Sequence, residues 1–286
     1  MKPFMGIDIT TDKKNEQING EEFIAAKPSL ALTQSFEQSL ENSEDTIERS
    51  KLPLPMRIVQ WVSGILGAFI ICGILRSFGG EDGITPAQAY ENVAWLFWLG
   101  GGCVIVWGIL MLLSKRKENE VLSTDESTLV FDHLGKSSDA IFADLGVPSD
   151  AKEIDVLSFF YKVKGDEIKV CEKAFMVAPY MNPIFHAFAD SENLYLANLE
   201  YKYAFPLTSI KGIKTVKKAT QITEWNKDEP HNKGNYKQYK ISEDKYGCIT
   251  CKCHHIIEID RSGELWGIYI PSYELPVIEE LIGIKA

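Results

Sequence analysis

The stretch IVQWVSGILGAFIICGIL, residues 58–75, decides the fold of this chain. A second apolar stretch, VAWLFWLGGGCVIVWGILMLL, follows at residues 93–113. The stretches contain 18 and 21 residues without Asp, Glu, Lys or Arg, and a helix needs roughly 20 residues to cross about 30 Å of hydrocarbon. Within lipid, a helix satisfies its own backbone hydrogen bonds. The sequence therefore predicts two transmembrane helices, over 58–76 and 93–113, that form a hairpin within residues 51–117.

Small residues in both stretches are candidates for the contact between the two helices. Small side chains let helix backbones approach closely, although glycine is also common in membrane helices without such a role. Trp107 lies deep in the second stretch and is expected to pack within the pair. The candidates are Ser63, Gly64, Gly67, Ala68, Cys72, Gly100, Gly101 and Gly102.

The distribution of Lys and Arg predicts the orientation of the hairpin. The connecting segment, residues 77–92, contains no Lys or Arg. Basic residues flank the hairpin at Arg49, Lys51, Arg57, Lys115, Arg116 and Lys117. Because Lys and Arg near helix ends favour the cytoplasmic side, we expect a two-pass protein of the cell membrane with both termini in the cytoplasm.

The charge of the chain is acidic, with a net charge of -10 and a pI of about 5.1. Nucleic-acid binding needs clustered Lys and Arg, so that function class is excluded. Residues 1–50 contain ten Asp and Glu against five Lys and Arg, which predicts a disordered acidic N-terminal tail. Alternatively, Leu30, Leu32, Phe36 and Leu40 form an apolar stripe if the segment becomes helical, and this stripe would engage a partner.

The sequence after the hairpin predicts a linker at 118–135 and a cytosolic domain at 136–286. A helix is expected at 137–145, ending at Gly146, and Ser272 is expected to cap a final helix over 273–282. Short aromatic and β-branched runs predict strands at 157–163, 167–175, 193–197, 201–206, 210–217, 236–242, 248–259 and 265–270. The predicted fold class is α+β: a mainly antiparallel barrel or sandwich closed by a C-terminal helix.

Three segments of this domain occur in the same order as in a known family of domains. They are NLYLA at 193–197, FPLTSIKGI at 205–213, and a terminal strand at 266–270 with its helix. In this order the domain resembles bacterial pleckstrin-homology-like (PH-like) or GRAM-like domains, although the final helix lacks the tryptophan usual in the eukaryotic branch. The resemblance implies a PH-like fold and a module that binds lipid, peptide or protein and is not an enzyme.

The segment CITCKCHH, residues 248–255, concentrates side chains of the kind that bind zinc. The candidate ligands are Cys248, Cys251, Cys253 and His255. Side chains on one face of a strand lie about 6.6 Å apart, so only a turn at 248–251 would bring these ligands together. The alternatives are small cysteines packed within a strand, or a redox pair.

A basic stretch is the candidate contact for lipid headgroups or a protein partner: Lys211, Lys214, Lys217 and Lys218. The alternative is a solvated strand face. The sequence contains no motif of a nucleotide-binding loop, a serine hydrolase, a zinc protease or a dinucleotide-binding fold, so no enzyme is predicted.

The predicted function is a membrane-anchored cytosolic binding or scaffolding module that recruits a protein or lipid partner to the membrane. The alternative is a metal- or redox-sensing membrane protein that uses the segment 248–255, with zinc as the possible cofactor.

Overall fold

A computed structural model describes residues 1–8, 17–18, 20–78, 86–164, 167–175, 184–222, 233–243 and 249–285. The chain divides into two compact units. Gln34–Ser137 form the helical unit, whereas Met1–Thr33 and Ser138–Ala286 together form the sheet unit. The sheet unit is therefore discontinuous in sequence, and the helical unit is inserted into it.

Four long helices lie in the first half of the chain: α1 (Leu30–Ser50), α2 (Leu54–Phe78), α3 (Pro86–Leu122) and α4 (Asp125–Asp144). Pro86 is the first residue of α3, where its missing N–H removes no hydrogen bond of the helix. α2 and α3 contain the two apolar stretches, and 23 residues of α2 and 29 of α3 are long and apolar enough to cross a membrane.

Small residues mediate the contact between α2 and α3, as the sequence predicts for three of them. A β-carbon built on Gly64 would lie 2.8 Å from Cδ1 of Trp107, and one on Gly100 would lie 2.8 Å from Cγ2 of Ile70. At Gly67 the nearest atoms belong to Cys103 and Val104, at 3.4 Å. Later residues of α2 thus contact earlier residues of α3, so the two helices are antiparallel.

Two of the predicted contact glycines do not take part. A β-carbon built on Gly101 or Gly102 would meet nothing within 4 Å. The prediction that Trp107 packs within the pair is confirmed, because its indole covers Gly64.

The segment 118–135, predicted as a linker, is helical except at residues 123 and 124. α3 continues to Leu122, and α4 begins at Asp125, after only two intervening residues. Thr124 caps α4, because the Ser127 N–H donates a hydrogen bond to its Oγ1 over 3.2 Å. The Ser127 hydroxyl donates to the Val121 carbonyl at the end of α3 over 2.7 Å. Thr124 and Ser127 thus join the two helices with a tight turn.

The predicted helix end at Gly146 is confirmed. Gly146 has φ of 66° and donates its N–H to Ala143, while Val147 donates to Phe142. This pair of bonds satisfies the last carbonyl groups of α4 in a glycine-terminated helix end. The start of the helix was predicted too late, at residue 137, whereas α4 begins at Asp125.

The strands of the sheet unit are mostly short. They are β1 (Lys2–Pro3), β2 (Gly6–Asp8), β3 (Gln17–Ile18), β4 (Ile24–Ala26), β5 (Lys152–Asp155), β6 (Ser158–Lys164), β7 (Glu167–Phe175), β8 (Ile184–Ala189), β9 (Asn193–Ala197), β10 (Lys202–Pro206), β11 (Ile210–Val216), β12 (Thr220–Ile222), β13 (Ile241–Glu243), β14 (Ile249–Cys251), β15 (His254–Arg261) and β16 (Glu264–Pro271).

The strands form four sheets among the described residues. Their orders are β1-β16-β15-β11, β4-β10-β9-β8-β5, β12-β14-β13 and β3-β2-β6-β7. The pairs β1–β16 and β2–β6 are parallel, and the other ladders are antiparallel. These sheets do not close into a barrel in the described part of the chain. The α+β class is confirmed.

The main core contains side chains from the first two sheets. Ile257 and Ile268 contribute from the first sheet, and Phe185, Leu196 and Phe205 from the second. A final helix, α5 (Leu275–Ile282), adds Ile278 and Ile282 to the same core, so it covers these sheets as the sequence predicts.

The cap predicted for the final helix is wrong. Ser272 makes no capping hydrogen bond, because its hydroxyl donates to the Cys253 carbonyl over 2.7 Å. Gly283 ends α5 with φ of 69° and donates its N–H to Glu279.

The N-terminal residues belong to the core, so the predicted disordered tail is wrong for the part of 1–50 that the structure describes. Phe4 is fully buried, with its ring edge-on at 4.9 Å from Tyr203 and 5.3 Å from Phe205. Phe23 packs against Phe205 and Trp266. Residues 30–50 form α1. Residues 1–50 are polar on average, so their composition does not reveal that Phe4 and Phe23 are buried in the core.

Two strand predictions differ from the structure in an informative way. Residues 236–240 form a turn, and only the last two residues of the predicted strand 236–242 are extended, as part of β13. The predicted strand 248–259 is broken at Lys252 and Cys253, because β14 and β15 lie in different sheets.

Candidate functional site

Cys251 ends β14 and lies in an apolar cluster. Its neighbours there include Leu157, Ile256, Tyr269 and Tyr273. Burial raises the pKa of the Cys251 thiol to about 12, and the nearby Cys253 and Asp155 act in the same direction. The thiolate is the form that binds metal and reacts, so this environment disfavours both roles.

Cys253 lies in the two-residue segment between β14 and β15. Its sulfur is 2.9 Å from the hydroxyl oxygen of Ser272, whose proton goes to the Cys253 carbonyl. Cys251 and Cys253 are both thiols without a disulfide. The Ser272 contact ties this segment to the turn before α5, which is a structural role.

The two histidines begin β15 and are buried. Nδ1 of His255 lies 3.2 Å from the Thr215 hydroxyl on the neighbouring strand β11. The His254 ring lies 5.9 Å from the ring of Tyr269. Burial lowers the pKa of both imidazoles, to about 4 for His254, where the adjacent His255 adds to the effect and a hydrogen bond to the Lys218 backbone opposes it.

The structure does not bring Cys251, Cys253 and His255 together as metal ligands. Among the residues that it describes, no three His, Cys, Asp or Glu side chains form a group that could hold a metal ion. Cys248, the fourth predicted ligand, lies outside the described residues. The physical reason is the change of sheet between β14 and β15, which directs neighbouring side chains into different surroundings.

The predicted basic contact lies at the edge of the first sheet. Lys211 and Lys214 belong to β11, whose ladder partner in the described chain is β15. Lys217 and Lys218 follow directly, and all four side chains are exposed. We call these four residues the lysine edge. Nζ of Lys211 lies 3.3 Å from Oδ2 of Asp260, and the Gly263 N–H and this ammonium hold the pKa of Asp260 below its usual range.

A buried polar cluster was missed by the sequence analysis. Asp155, Tyr273 and Glu274 are all buried. Tyr273 donates its hydroxyl proton to Oδ2 of Asp155 over 2.7 Å, and the Asp155 N–H donates to Oε1 of Glu274 over 3.0 Å. Burial and the two carboxylates raise the pKa of Tyr273 well above its usual value. The cluster joins β5 to the turn before α5. Asp155 and Tyr273 are 118 residues apart in sequence, so no local sequence pattern indicates their contact.

Comparisons of the chain with protein-family models, with curated proteins and with solved structures gave no match. The resemblance to PH-like domains therefore stays a prediction.

Proposed function

We propose that this chain is a two-pass protein of the cell membrane, which holds the sheet unit at the cytoplasmic face as a module that binds a protein or lipid partner. The mechanism is recruitment, because tethering raises the local concentration of the module near membrane-bound partners.

The exposure of α2 and α3 carries the proposal. Only 17% and 6% of their most apolar windows are buried. Phe69 and Trp98 leave 73% and 83% of their surface exposed. Contiguous apolar surface of this extent is rare on soluble proteins, and lipid would solvate it.

The discontinuity of the sheet unit supports the two-pass topology. β1 pairs with β16, and Phe4 packs against Phe205, although the helical unit separates these residues in sequence. Such contacts require both parts of the sheet unit to be in one compartment. α2 and α3 therefore both cross the membrane, or neither does.

The flanking charges support the cytoplasmic side for the sheet unit. Arg57 precedes the apolar part of α2, and Lys115, Arg116 and Lys117 follow that of α3. Positive charges of this kind are retained in the cytoplasm during insertion.

The lysine edge supports a binding role for the sheet unit. An edge strand can accept an added strand, and exposed lysines attract acidic headgroups or acidic side chains. Lysine at an edge also protects against aggregation, so the contact has to be tested by substitution.

Metal or redox sensing has less support, because Cys251 is buried with a raised pKa and the described ligand candidates are not assembled. One equivalent of zinc bound to the purified full chain, lost on Cys248→Ser, would restore that alternative.

Cysteine accessibility tests the topology. We expect Glu81→Cys in the full chain to react with an impermeant maleimide outside intact cells, whereas Asp150→Cys reacts only after permeabilisation. The unsubstituted chain gives the background from the native cysteines. Labelling of Glu81→Cys only from the cytoplasmic side would overturn the two-pass topology.

Co-purification from membranes tests the lysine edge. We expect the double variant Lys214→Glu/Lys217→Glu to lose about fivefold or more of at least one protein or acidic lipid that the unsubstituted chain retains. Lys152→Glu/Lys285→Glu makes the same charge change at exposed sites elsewhere and serves as the control. Equal recovery of every partner with the unsubstituted chain and with both double variants would contradict a partner contact at this edge.

A further inference from the structure

A polar cavity of about 410 Å³ lies within the helical unit, where α1 ends and α3 meets α4. It is separate from the apolar contact between α2 and α3. Its lining residues are Thr46, Arg49, Lys117, Glu120, Val121, Thr124, Glu126 and Ser127. We call this space the junction cavity.

The junction cavity carries charges of both signs. Arg49 and Lys117 supply two cations, and Glu120 and Glu126 supply two anions. The guanidinium of Arg49 and the carboxylate of Glu126 are 4.0 Å apart, and both side chains are mostly exposed. Lys117 uses one N–H to cap α1 at the Lys51 carbonyl, and an ammonium has two more. A ligand can therefore meet both charge types here.

The hydroxyl groups of the cavity act as acceptors. Thr46 donates its proton to the Asn42 carbonyl, and Thr124 and Ser127 donate theirs to the Val121 carbonyl. Because these protons are engaged, the hydroxyl oxygens can accept from a ligand; Oγ1 of Thr124 already accepts the Ser127 N–H and has one lone pair left. Together with the two carboxylates, they suit a primary ammonium, whereas Arg49 and Lys117 suit a phosphate.

The junction cavity lies at the level expected for phospholipid headgroups. Arg49 lies eight residues before Arg57, and Lys117 lies four residues after Leu113, where the apolar part of α3 ends, so the cavity is beside the predicted cytoplasmic ends of both spans. Lipid binding in basic pockets at such positions is an established pattern. An acidic lipid would leave Glu120 and Glu126 unpaired, whereas a zwitterionic one would meet both charge types.

We propose that the junction cavity binds a phospholipid whose headgroup combines a phosphate with a primary ammonium, as in phosphatidylethanolamine. Arg49 and Lys117 hold the phosphate, and Glu120 and Glu126 accept hydrogen bonds from the ammonium. This inference rests on the proposed membrane location and adds a specific lipid to it.

Native mass spectrometry of the full chain in detergent tests the proposal. Palmitoyl-oleoyl phosphatidylethanolamine, phosphatidylcholine and phosphatidylglycerol are added at equal concentrations. We expect phosphatidylethanolamine to be retained about fivefold better than either of the others. The quaternary ammonium of phosphatidylcholine cannot donate hydrogen bonds, and phosphatidylglycerol has no cation.

Double variants test the residues that bind the phosphate and those that bind the ammonium separately. Glu120→Gln/Glu126→Gln should abolish the preference for phosphatidylethanolamine, and Arg49→Gln/Lys117→Gln should weaken binding of all three lipids. Arg116→Gln/Glu118→Gln changes exposed residues of α3 that do not line the cavity and should leave the preference unchanged. Equal retention of the three lipids, or a preference that survives Glu120→Gln/Glu126→Gln, would overturn the inference.

Alkaline extraction of membranes containing the same full chain distinguishes this failure from a failure of the proposed function. A chain that stays in the membrane but shows no lipid preference overturns the inference alone. A chain that is extracted overturns the membrane location, and the inference with it.

Discussion

The hairpin helices α2 and α3 and the sheet unit use the same apolar residue types in opposite ways. Trp98 on α3 exposes 83% of its surface, whereas Trp266 on β16 exposes 1%. In the sheet unit, apolar side chains pack against one another around a core. In the hairpin, Gly64, Gly67 and Gly100 lie against the neighbouring helix, whereas most of the large apolar side chains are exposed. The sheet unit buries its large apolar side chains and the hairpin exposes them, so each region can be tested by a substitution that would have the opposite effect in the other.

The largest effect is expected from Phe4→Ala in the sheet unit. Removing this fully buried ring should lower the free energy of unfolding by about 3–5 kcal/mol, because a cavity opens beside Tyr203 and Phe205. Urea unfolding of the full chain in detergent, followed by tryptophan fluorescence, measures this. Leu30→Ala, at an exposed position, is the control. Equal, small losses for both variants would mean that the N-terminal strands contribute nothing to the core.

The next effect concerns an exposed residue in the hairpin. Phe69→Arg places a charge on the outer surface of α2 and should raise the apparent free energy of membrane insertion by about 2.5–3.5 kcal/mol. In water the same change would be neutral or would increase solubility. The fraction of chain resistant to alkaline extraction measures insertion, and Met56→Arg at the helix end is the control. Unchanged resistance for Phe69→Arg would remove the distinction between the two regions.

A smaller effect is expected at the contact between the two helices. Gly64→Val should destabilise the hairpin by about 1–3 kcal/mol, because its first added carbon would lie 2.8 Å from the Trp107 ring. Gly101→Val makes the same change where a β-carbon has no neighbour within 4 Å. Loss of helicity on titration with dodecyl sulfate reports stability, and Gly64→Val/Trp107→Leu should recover part of it. Equal destabilisation by the two valines would refute tight packing at Gly64.

The last effect is a pH dependence of the sheet unit. Burial lowers the pKa of His254 from 6.5 to about 4, so the unfolded chain binds this proton first as the pH falls. The stability contributed by neutral His254 is complete above pH 6.5 and is lost progressively as the pH falls towards about 4.

Thermal unfolding of the full chain between pH 7 and pH 4 measures this dependence. His254→Gln should make the fall in stability shallower, whereas His133→Gln, at an exposed position on α4, should not. Parallel curves for the unsubstituted chain and His254→Gln would contradict burial of a neutral imidazole.

The positions of the hairpin helices could be predicted because the signal is local. Residues 58–75 and 93–113 contain no Asp, Glu, Lys or Arg, and a helix satisfies its own backbone hydrogen bonds in lipid. The contact glycines were predicted only in part, since Gly100, Gly101 and Gly102 share one composition while helix geometry turns only Gly100 towards Ile70.

The N-terminal strands could not be predicted because their partners are distant. β1 has two residues and pairs with β16 more than 260 residues later, and β4 pairs with β10. Such short segments have no alternating pattern of their own, so long-range pairing determines their conformation. Residues 30–50 and 118–135 were assigned to tail and linker because polar helices give only a weak apolar period.

The segment 248–255 shows the limit of composition as a guide to chemistry. The concentration of Cys and His suggested zinc, but the structure separates Cys251 and His255 by a change of sheet within three residues. A strand break at Lys252 and Cys253 carries no strong turn signal, since neither residue is Gly or Pro.

The insertion of the helical unit into the sheet unit has a consequence for biosynthesis. β1 leaves the ribosome before the two apolar stretches, whereas its partner β16 is made after both of them. If only one of α2 and α3 entered the bilayer, β1 and β16 would lie on opposite sides of the membrane. The core around Phe4 could then not form. In the proposed two-pass topology, correct integration would thus be a precondition for folding, and a chain with a failed crossing would present unpaired strands to the cell's quality-control proteases.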